Sequence, residues 1–518
     1  MAVTPGPDRI DTGEKDLVVA IGGAEAGCGA QWLTRRQVLK SAGGVAGLAA
    51  LAGGAFGAFR LLSGGTSAST GRARVFVSQP DLRPPAVAVT GASFAAGYLF
   101  LAPHASGGSQ PGPLVVDEHG EPVWFRPLAS WLWATNVRVG RYHDRPVLTF
   151  WEGKVVSPGF GRGEGVIVDS SYREIARVRA GNGRQMDLHE FLLTPQGTAL
   201  FTCYPETVRA DLSSVGGPSD GEALGAIIQE VDVRSGRLLL EWRSLDHIPV
   251  SESYHSPGDP YDYLHANSID LTPDGNLLVS ARHTWALYKL DRRTGQVIWR
   301  LGGKRSDFQM GSGSRFAWQH DARALGDRQI TVFDDGAGPQ KTESQSRGIV
   351  LEVDTAAKAV RLARSYRHPH PLLADALGSV QVLPDGHVLV GWGSQPYASE
   401  FAADGRLLAD VGLGSGHDSY RAYRYRWTAR PTDAPALITR RHHAKRAAML
   451  YVSWNGATEV SRWEVSAGPS AAALQPVGVA PRRGFETAIS LAAREGYARV
   501  TALDAGGRRL AASAAVRL

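Results

Sequence analysis

The sequence predicts an all-β protein: a six-bladed β-propeller followed by a small β-sandwich of immunoglobulin or fibronectin type. Three observations predict it. One unit recurs along most of the chain: a strand, a P-x-G or G-D turn, a second strand, a loop, a third strand, a D-x-x-G turn and a fourth. The turns before the fourth strand read Asp232-Val233-Arg234-Ser235-Gly236 and Asp291-Arg292-Arg293-Thr294-Gly295 with little variation. The units are spaced by roughly 50 to 75 residues, the period of four-stranded blades rather than of a β-helix. Finally, 61 Gly and 29 Pro in 518 residues mean that the chain turns often.

Taken in order, residues 1–30 lack any period and read as a disordered tail. Residues 31–66 carry Thr34-Arg35-Arg36-Gln37-Val38-Leu39-Lys40 before a mildly apolar Ala/Gly/Leu run, Ser41 to Phe59. Paired arginines before such a run match a twin-arginine signal, with the twin-arginine export machinery as partner. Uncleaved, the run is about long enough to anchor the chain in a membrane. The protein is therefore expected at the cell surface, in a periplasm-like space, or membrane-anchored with the propeller outside. Export by this route carries folded proteins and agrees with the cysteine count. Of two cysteines, Cys28 lies in the tail and Cys203 in the globular part, so a cleaved chain forms no internal disulfide.

Residues 72–427 hold the propeller units. Their first hairpins are Leu188–Tyr204, His265–His283, Gln319–Asp334 and Ser379–Gly393; a weaker unit spans Asn136 to Val178. In the hairpin turning at Thr272-Pro273-Asp274-Gly275, a constant index sum sets His265 opposite Arg282, with Asn267 and His283 close by. The same arithmetic sets His320 near Phe333-Asp334. His189, His265 and His320 thus each open the first strand of a unit, the strand that lines a propeller's channel. After Ala429-Arg430-Pro431-Thr432-Asp433, residues 428–518 change to short strands around an Asn455-Gly456 turn and read as the sandwich.

A net charge of +6 with 20% charged residues is scattered, with no Lys/Arg tract, so no nucleic-acid partner is expected. No Walker loop or dinucleotide fingerprint occurs, Gly302-Gly303-Lys304 lacks phosphate-loop spacing, and no cofactor is expected. Three histidines at equivalent positions, with Arg282 and Asn267, suit a substrate with several anionic oxygens, such as a sulfate or phosphate ester. Arg282 supplies a two-pronged fork and Asn267 a further donor. One histidine attacks and holds the group, while Asp321 or Asp334 orients the ring and His283 lends support. Two other readings compete. His189, His265, His283 and His320 could ligate Zn or Cu, and Asp334-Asp335-Gly336 could bind Ca²⁺, although Arg282 argues against a cation. A non-catalytic module could bind a glycan or a partner.

Six motifs in order then resemble a known family. They are Asp187-Leu188-His189-Glu190-Phe191, His265-Ala266-Asn267-Ser268, Ser280-Ala281-Arg282-His283, Trp299-Arg300-Leu301-Gly302-Gly303-Lys304, Gln319-His320-Asp321-Ala322 and Phe333-Asp334-Asp335-Gly336. Together they resemble the PAPS-independent arylsulfotransferases, more closely the branch found in actinobacteria and fungi. The resemblance implies a six-bladed propeller and ping-pong transfer of sulfate from an aryl sulfate donor to a phenolic acceptor. It implies His320 as the nucleophile that becomes sulfonated, with His189, His265, Asn267 and Arg282 holding the sulfuryl oxygens. Specificity is expected in the loops Trp151–Arg162, Asp211–Gly221, Ser251–Asp262 and Asp307–Arg315. Trp151, Tyr254, Tyr261, Tyr263 and Phe308, in or beside these loops, are candidate ring-binding residues.

Overall fold

The computed structural model describes residues 72–518, apart from 92, 93, 105, 158, 443–446 and 493–495. The predicted tail and the twin-arginine segment lie outside the described residues. No helix among the described residues is long and apolar enough to cross a membrane. Those residues form strands joined by turns, with three single-turn 3₁₀ segments and no α-helix.

The recurring turn has a simple physical basis. Asp291 accepts from the N–H groups of Arg293 (3.0 Å) and Thr294 (2.7 Å), and the Gly295 N–H returns to the Asp291 carbonyl at 2.8 Å. Gly295 closes this loop at φ 75, where a side chain is strained. Asp232 and Gly236 repeat the arrangement.

Between these turns the described residues before Ala436 form sheets of eight, five, five, four and four strands, antiparallel except where Gln309–Met310 runs parallel to Ala359–Tyr366. The eight-stranded sheet joins two four-stranded units through the single pair Gly163–Met186, so six units can be traced. Their first strands are Trp133–Tyr142 (β1), Met186–Leu193 (β2), Ala266–Leu271 (β3), His320–Leu325 (β4), Ser379–Val382 (β5) and Tyr423–Tyr425 (β6). Four units are continuous in sequence, and the β5 unit takes the distant strand Ala88–Gly91 at its outer edge. In the sixth, β6 pairs with Tyr98–Leu101, followed by Leu114–Val116 and Pro122–Phe125, so distant parts of the chain share one sheet. Each first strand contacts the next, and β6 contacts β1. Adjacent sheets pack face to face: Leu278, Leu287 and Leu301 of the β3 unit meet Val332, Ile349 and Leu351 of the β4 unit. Burying each such side chain stabilises by about 1.5–3 kcal/mol.

Residues after Ala436 form a three-stranded and a five-stranded sheet that share a core of Leu450, Val452, Trp463 and Val500. They are tied to the edge strand Pro122–Phe125 by the predicted turn. Asn455 pairs with Phe125 as another strand residue would, donating to its carbonyl and accepting from its N–H, both at 2.9 Å.

The first strands are irregular where the chemistry is expected. Register shifts interrupt β1 between Thr135 and Arg138, β3 between Ala266 and Ser268, and β4 between His320 and Arg323. Asn136, His265 and Asp321 take φ of 58, 54 and 51 there. Bulges of this kind re-aim side chains.

Candidate active site

His189, His265, His283 and His320 are all buried, and three carboxylates hold three of them. Asp187, two residues before His189 and so on the same strand face, accepts from His189 Nδ1. Asp262 Oδ2 lies 2.6 Å from His265 Nδ1. Asp335 Oδ2 lies 2.9 Å from His320 Nδ1. The far nitrogens converge: His189 Nε2 and His265 Nε2 are 3.1 Å apart. Gly159 fits against His265, where a Cβ would sit 2.9 Å from the ring.

Hydrogen bonds fix two tautomers. The Leu377 N–H donates to His320 Nε2 at 3.2 Å, so that nitrogen carries the lone pair and Nδ1–H is given to Asp335. Arg282 Nη1 donates to His283 Nε2 at 2.9 Å, so His283 Nδ1–H goes to the Asp262 carbonyl at 2.6 Å. Burial, then Arg282, His265 and His189, hold His320 well below the ordinary imidazole range. Burial, then His189 and Arg282, do the same to His265. Both rings are neutral at neutral pH. Burial pushes the Asp335 carboxyl up, with Arg282 opposing.

Besides His283, the Arg282 side chain reaches two more groups. Its Nη2 donates to the Asp375 carbonyl at 2.7 Å, and its guanidinium lies 5.0 Å above the Trp318 ring. Asp375 and Leu377 belong to one surface segment that caps both Arg282 and His320. Ser394 and Gln395 bind the Ala376 and Leu373 carbonyls at 3.0 and 2.9 Å, and Leu377 takes φ 69.

The predicted pairings are present: Arg282 N–H donates to the His265 carbonyl at 3.0 Å, and His320 faces Phe333. Several predicted roles are not. Neither Asp321 nor Asp334 touches His320. Asp334 is paired across the sheet with Arg347, whose Nε lies 2.8 Å away, because strand alternation turns it from Phe333's neighbour on β4. Asp321, consecutive with His320, turns to Arg323 (2.6 Å), Arg421 (3.0 Å) and the Tyr423 hydroxyl (2.8 Å). Asn267 donates to the Gln319 carbonyl at 2.7 Å and so pins β3 to β4. Of the aromatic candidates, Trp151, Tyr261, Tyr263 and Phe308 are core residues. Tyr254 lines a cavity of about 250 Å³, with Trp285, Arg315 and Phe316.

The metal readings fit poorly. Ligand atoms of Asp262, His265 and His283 lie within 4.8 Å of one another. However, both His283 nitrogens are already engaged, its Nδ1 as a donor, so this ring offers no lone pair. For Ca²⁺, Asp334 and Asp335 are taken by Arg347 and His320.

Sequence reasoning also missed a second cluster on the same strands. Glu190, next to His189, receives Arg323 at 2.5 Å, Arg421 at 3.2 Å and Arg138 at 3.3 Å. Burial alone would raise its carboxyl, but Arg138, Arg323 and Arg421 bring it down to about 2. Arg421 arrives just before β6, and no local sequence signal links it to Glu190.

A family model described as Arylsulfotransferase (ASST) matches residues 138–412. No curated protein matches the chain. Solved structures that align include a Bacteroides caccae protein of unknown function, 14% identical over 63% of this chain and 98% of that one, with a TM-score of 0.40. Another is the Pseudomonas aeruginosa periplasmic gluconolactonase PpgL, 12% identical over 76% and 99%, with a TM-score of 0.35. A third is virginiamycin B lyase from Staphylococcus aureus with quinupristin, 8% identical over 71% and 97%, with a TM-score of 0.32. These likenesses are remote, and no reading of this chain rests on them. The family match covers more than half of the chain and includes all four clustered histidines with Asp187, Asp262, Arg282 and Asp335; the chain belongs to the arylsulfotransferase family.

Proposed function

We propose that this protein is a PAPS-independent aryl sulfotransferase that moves a sulfuryl group from a phenolic sulfate ester to a phenolic acceptor by a ping-pong route, with His320 as the covalent carrier. One observation carries this reading: His320 is a buried, neutral imidazole whose Nδ1–H is held by Asp335 and whose lone pair is on Nε2. That is the form a nucleophile needs. The Nε2 lone pair attacks sulfur, the S–O bond to the aryl group breaks, and the acceptor hydroxyl later takes the sulfuryl group in the reverse sense. Arg282 faces the developing charge on the sulfuryl oxygens, with His189 and His265 completing the donor set. A donor reaches Nε2 only by displacing the Leu377 N–H.

In this reading the six units are the blades of a propeller closed by β6, and residues 428–518 are an immunoglobulin- or fibronectin-like sandwich. The order of contacts among the first strands and the shared core after Ala436 support it. The paired Arg35-Arg36 support export of the folded chain, with the ring on the outer face of the membrane.

The test is a mass spectrum. The chain is incubated with an aryl sulfate and no acceptor, quenched and digested. One sulfuryl group on the peptide carrying His320, lost on adding a phenol, is expected. No modification with several donors, despite measurable binding of those donors, would leave a non-catalytic binding module instead.

A further inference from the structure

Asp187, His189, His265 and Asp262 form an unbroken line of hydrogen-bonding groups, and the protons along it can be counted. The Asp187 carboxylate accepts at His189 Nδ1 and the Asp262 carboxylate at His265 Nδ1, so both Nδ1 atoms carry hydrogen. Two neutral rings would then point bare Nε2 lone pairs at each other across 3.1 Å, in a buried site. One more proton turns this repulsion into an N–H···N bond. Three links therefore hold three protons on two rings. A metal ion is the other cation that fits between two Nε2 atoms. However, the neighbouring His283 has no lone pair to add, and the Arg282 charge lies beside it.

We propose that the His189–His265 pair stores one mobile proton, gives it to the leaving phenolate in the first half-reaction and recovers it from the acceptor phenol in the second. This rests on the sulfuryl-transfer reading above. The balance closes. In the first half-reaction the His320 Nε2–S bond forms and the S–O(aryl) bond breaks. The electron pair stays on the aryl oxygen, and that oxygen takes the stored proton. In the second, the acceptor hydroxyl returns a proton to the pair as its oxygen bonds to sulfur, and the N–S electrons return to Nε2. No outside acid or base is consumed. Asp187 and Asp262 are positioning residues that keep both Nε2 atoms turned toward each other. On the His265 side the pair is also faced by Arg282, His255 and His283. Tyr420 packs against both His189 and His320.

Single-turnover sulfonation of His320 tests this with two donors. The phenol released from phenyl sulfate has a pKa of about 10, whereas 4-nitrophenyl sulfate releases a much more acidic phenol that needs no proton. His265→Asn and His189→Asn are expected to slow sulfonation from phenyl sulfate by about 10²–10⁴-fold, the usual yield of general-acid catalysis. With 4-nitrophenyl sulfate, where only the contacts to the sulfuryl oxygens are lost, the loss should be smaller by at least about tenfold. Equal losses with both donors would overturn the proposal and leave the pair as oxygen-binding groups only. One bound zinc or copper per wild-type chain, lost in either variant, would overturn it as well. Should a variant not fold, the wild type decides. A solvent-deuterium effect on sulfonation is expected with phenyl sulfate and not with 4-nitrophenyl sulfate, and its absence with both would count against a stored proton. Failure of the wild type to label His320 with either donor is a different result and removes the underlying transfer reading.

Discussion

Two buried clusters are built from consecutive residues of the same strands, and they solve the problem of burial in opposite ways. His189 and His320 belong to one; their neighbours Glu190 and Asp321 belong to the other. The second cluster buries full charges and compensates them with Arg138, Arg323 and Arg421. The first keeps His265 and His320 neutral and spends its carboxylates on orientation. A compensated charge network is rigid but has no free valence. An oriented neutral ring retains a lone pair that can react.

The largest expected effect separates the two. His320→Asn keeps a donor for Asp335 but removes the nucleophile, and should lower turnover on the order of 10⁴-fold or more with little change in unfolding free energy. Next, Arg421→Met should do the reverse. It strands Glu190 and Asp321 without one cation and should cost about 3–5 kcal/mol in denaturant unfolding. An Arg421→Met chain as stable as wild type would end the distinction drawn between the clusters. Third, Asp335→Asn should slow His320 sulfonation by about 10²–10⁴-fold while Asp334→Asn affects stability more than rate, because only Asp335 holds the ring.

The smallest effect is graded with pH. His265, His283 and His320 have folded values below their ordinary 6.5. Below about pH 6.5 the unfolded chain binds protons that the folded chain refuses. Stability is full above that pH and declines as pH falls toward the lowered folded values. Glu190 adds a second loss between its ordinary 4.5 and about 2, where the network loses its anion. Thermal unfolding across this range should show two acid-side steps, and Glu190→Gln should remove the lower one.

What the sequence made legible follows from the range of the interactions. Turn chemistry is local, so the recurring units and the facing of His265 and Arg282 could be read from index sums. The pairing Ala266 with Ala281 obeys the same sum. One residue further on, the bulge at Asn267 breaks it, and the bulge after His320 misdirects the choice among Asp321, Asp334 and Asp335 in the same way. Asp187 could have been found, since it stands two residues before His189 on a strand. Asp262 and Leu377 could not, because loops carry no periodicity that says where they fold back. Four of the five aromatic candidates proved to be core for a different reason: large rings near a site are also what fills the cores between sheets.

The pairing of β6 with Tyr98–Leu101 bears on how the protein is made. Arg424 donates to the Gly97 carbonyl across 327 residues of chain, and Arg421 reaches Glu190 in the same move. A ribosome adding about 5–20 residues per second must release all the intervening strands before that contact exists. Until then Glu190 lacks one of its counter-charges and the first sheet has an open edge. The charge network behind the histidine cluster is therefore completed late, and a chain cut short before Arg421 would lack a cation shared by Glu190 and Asp321.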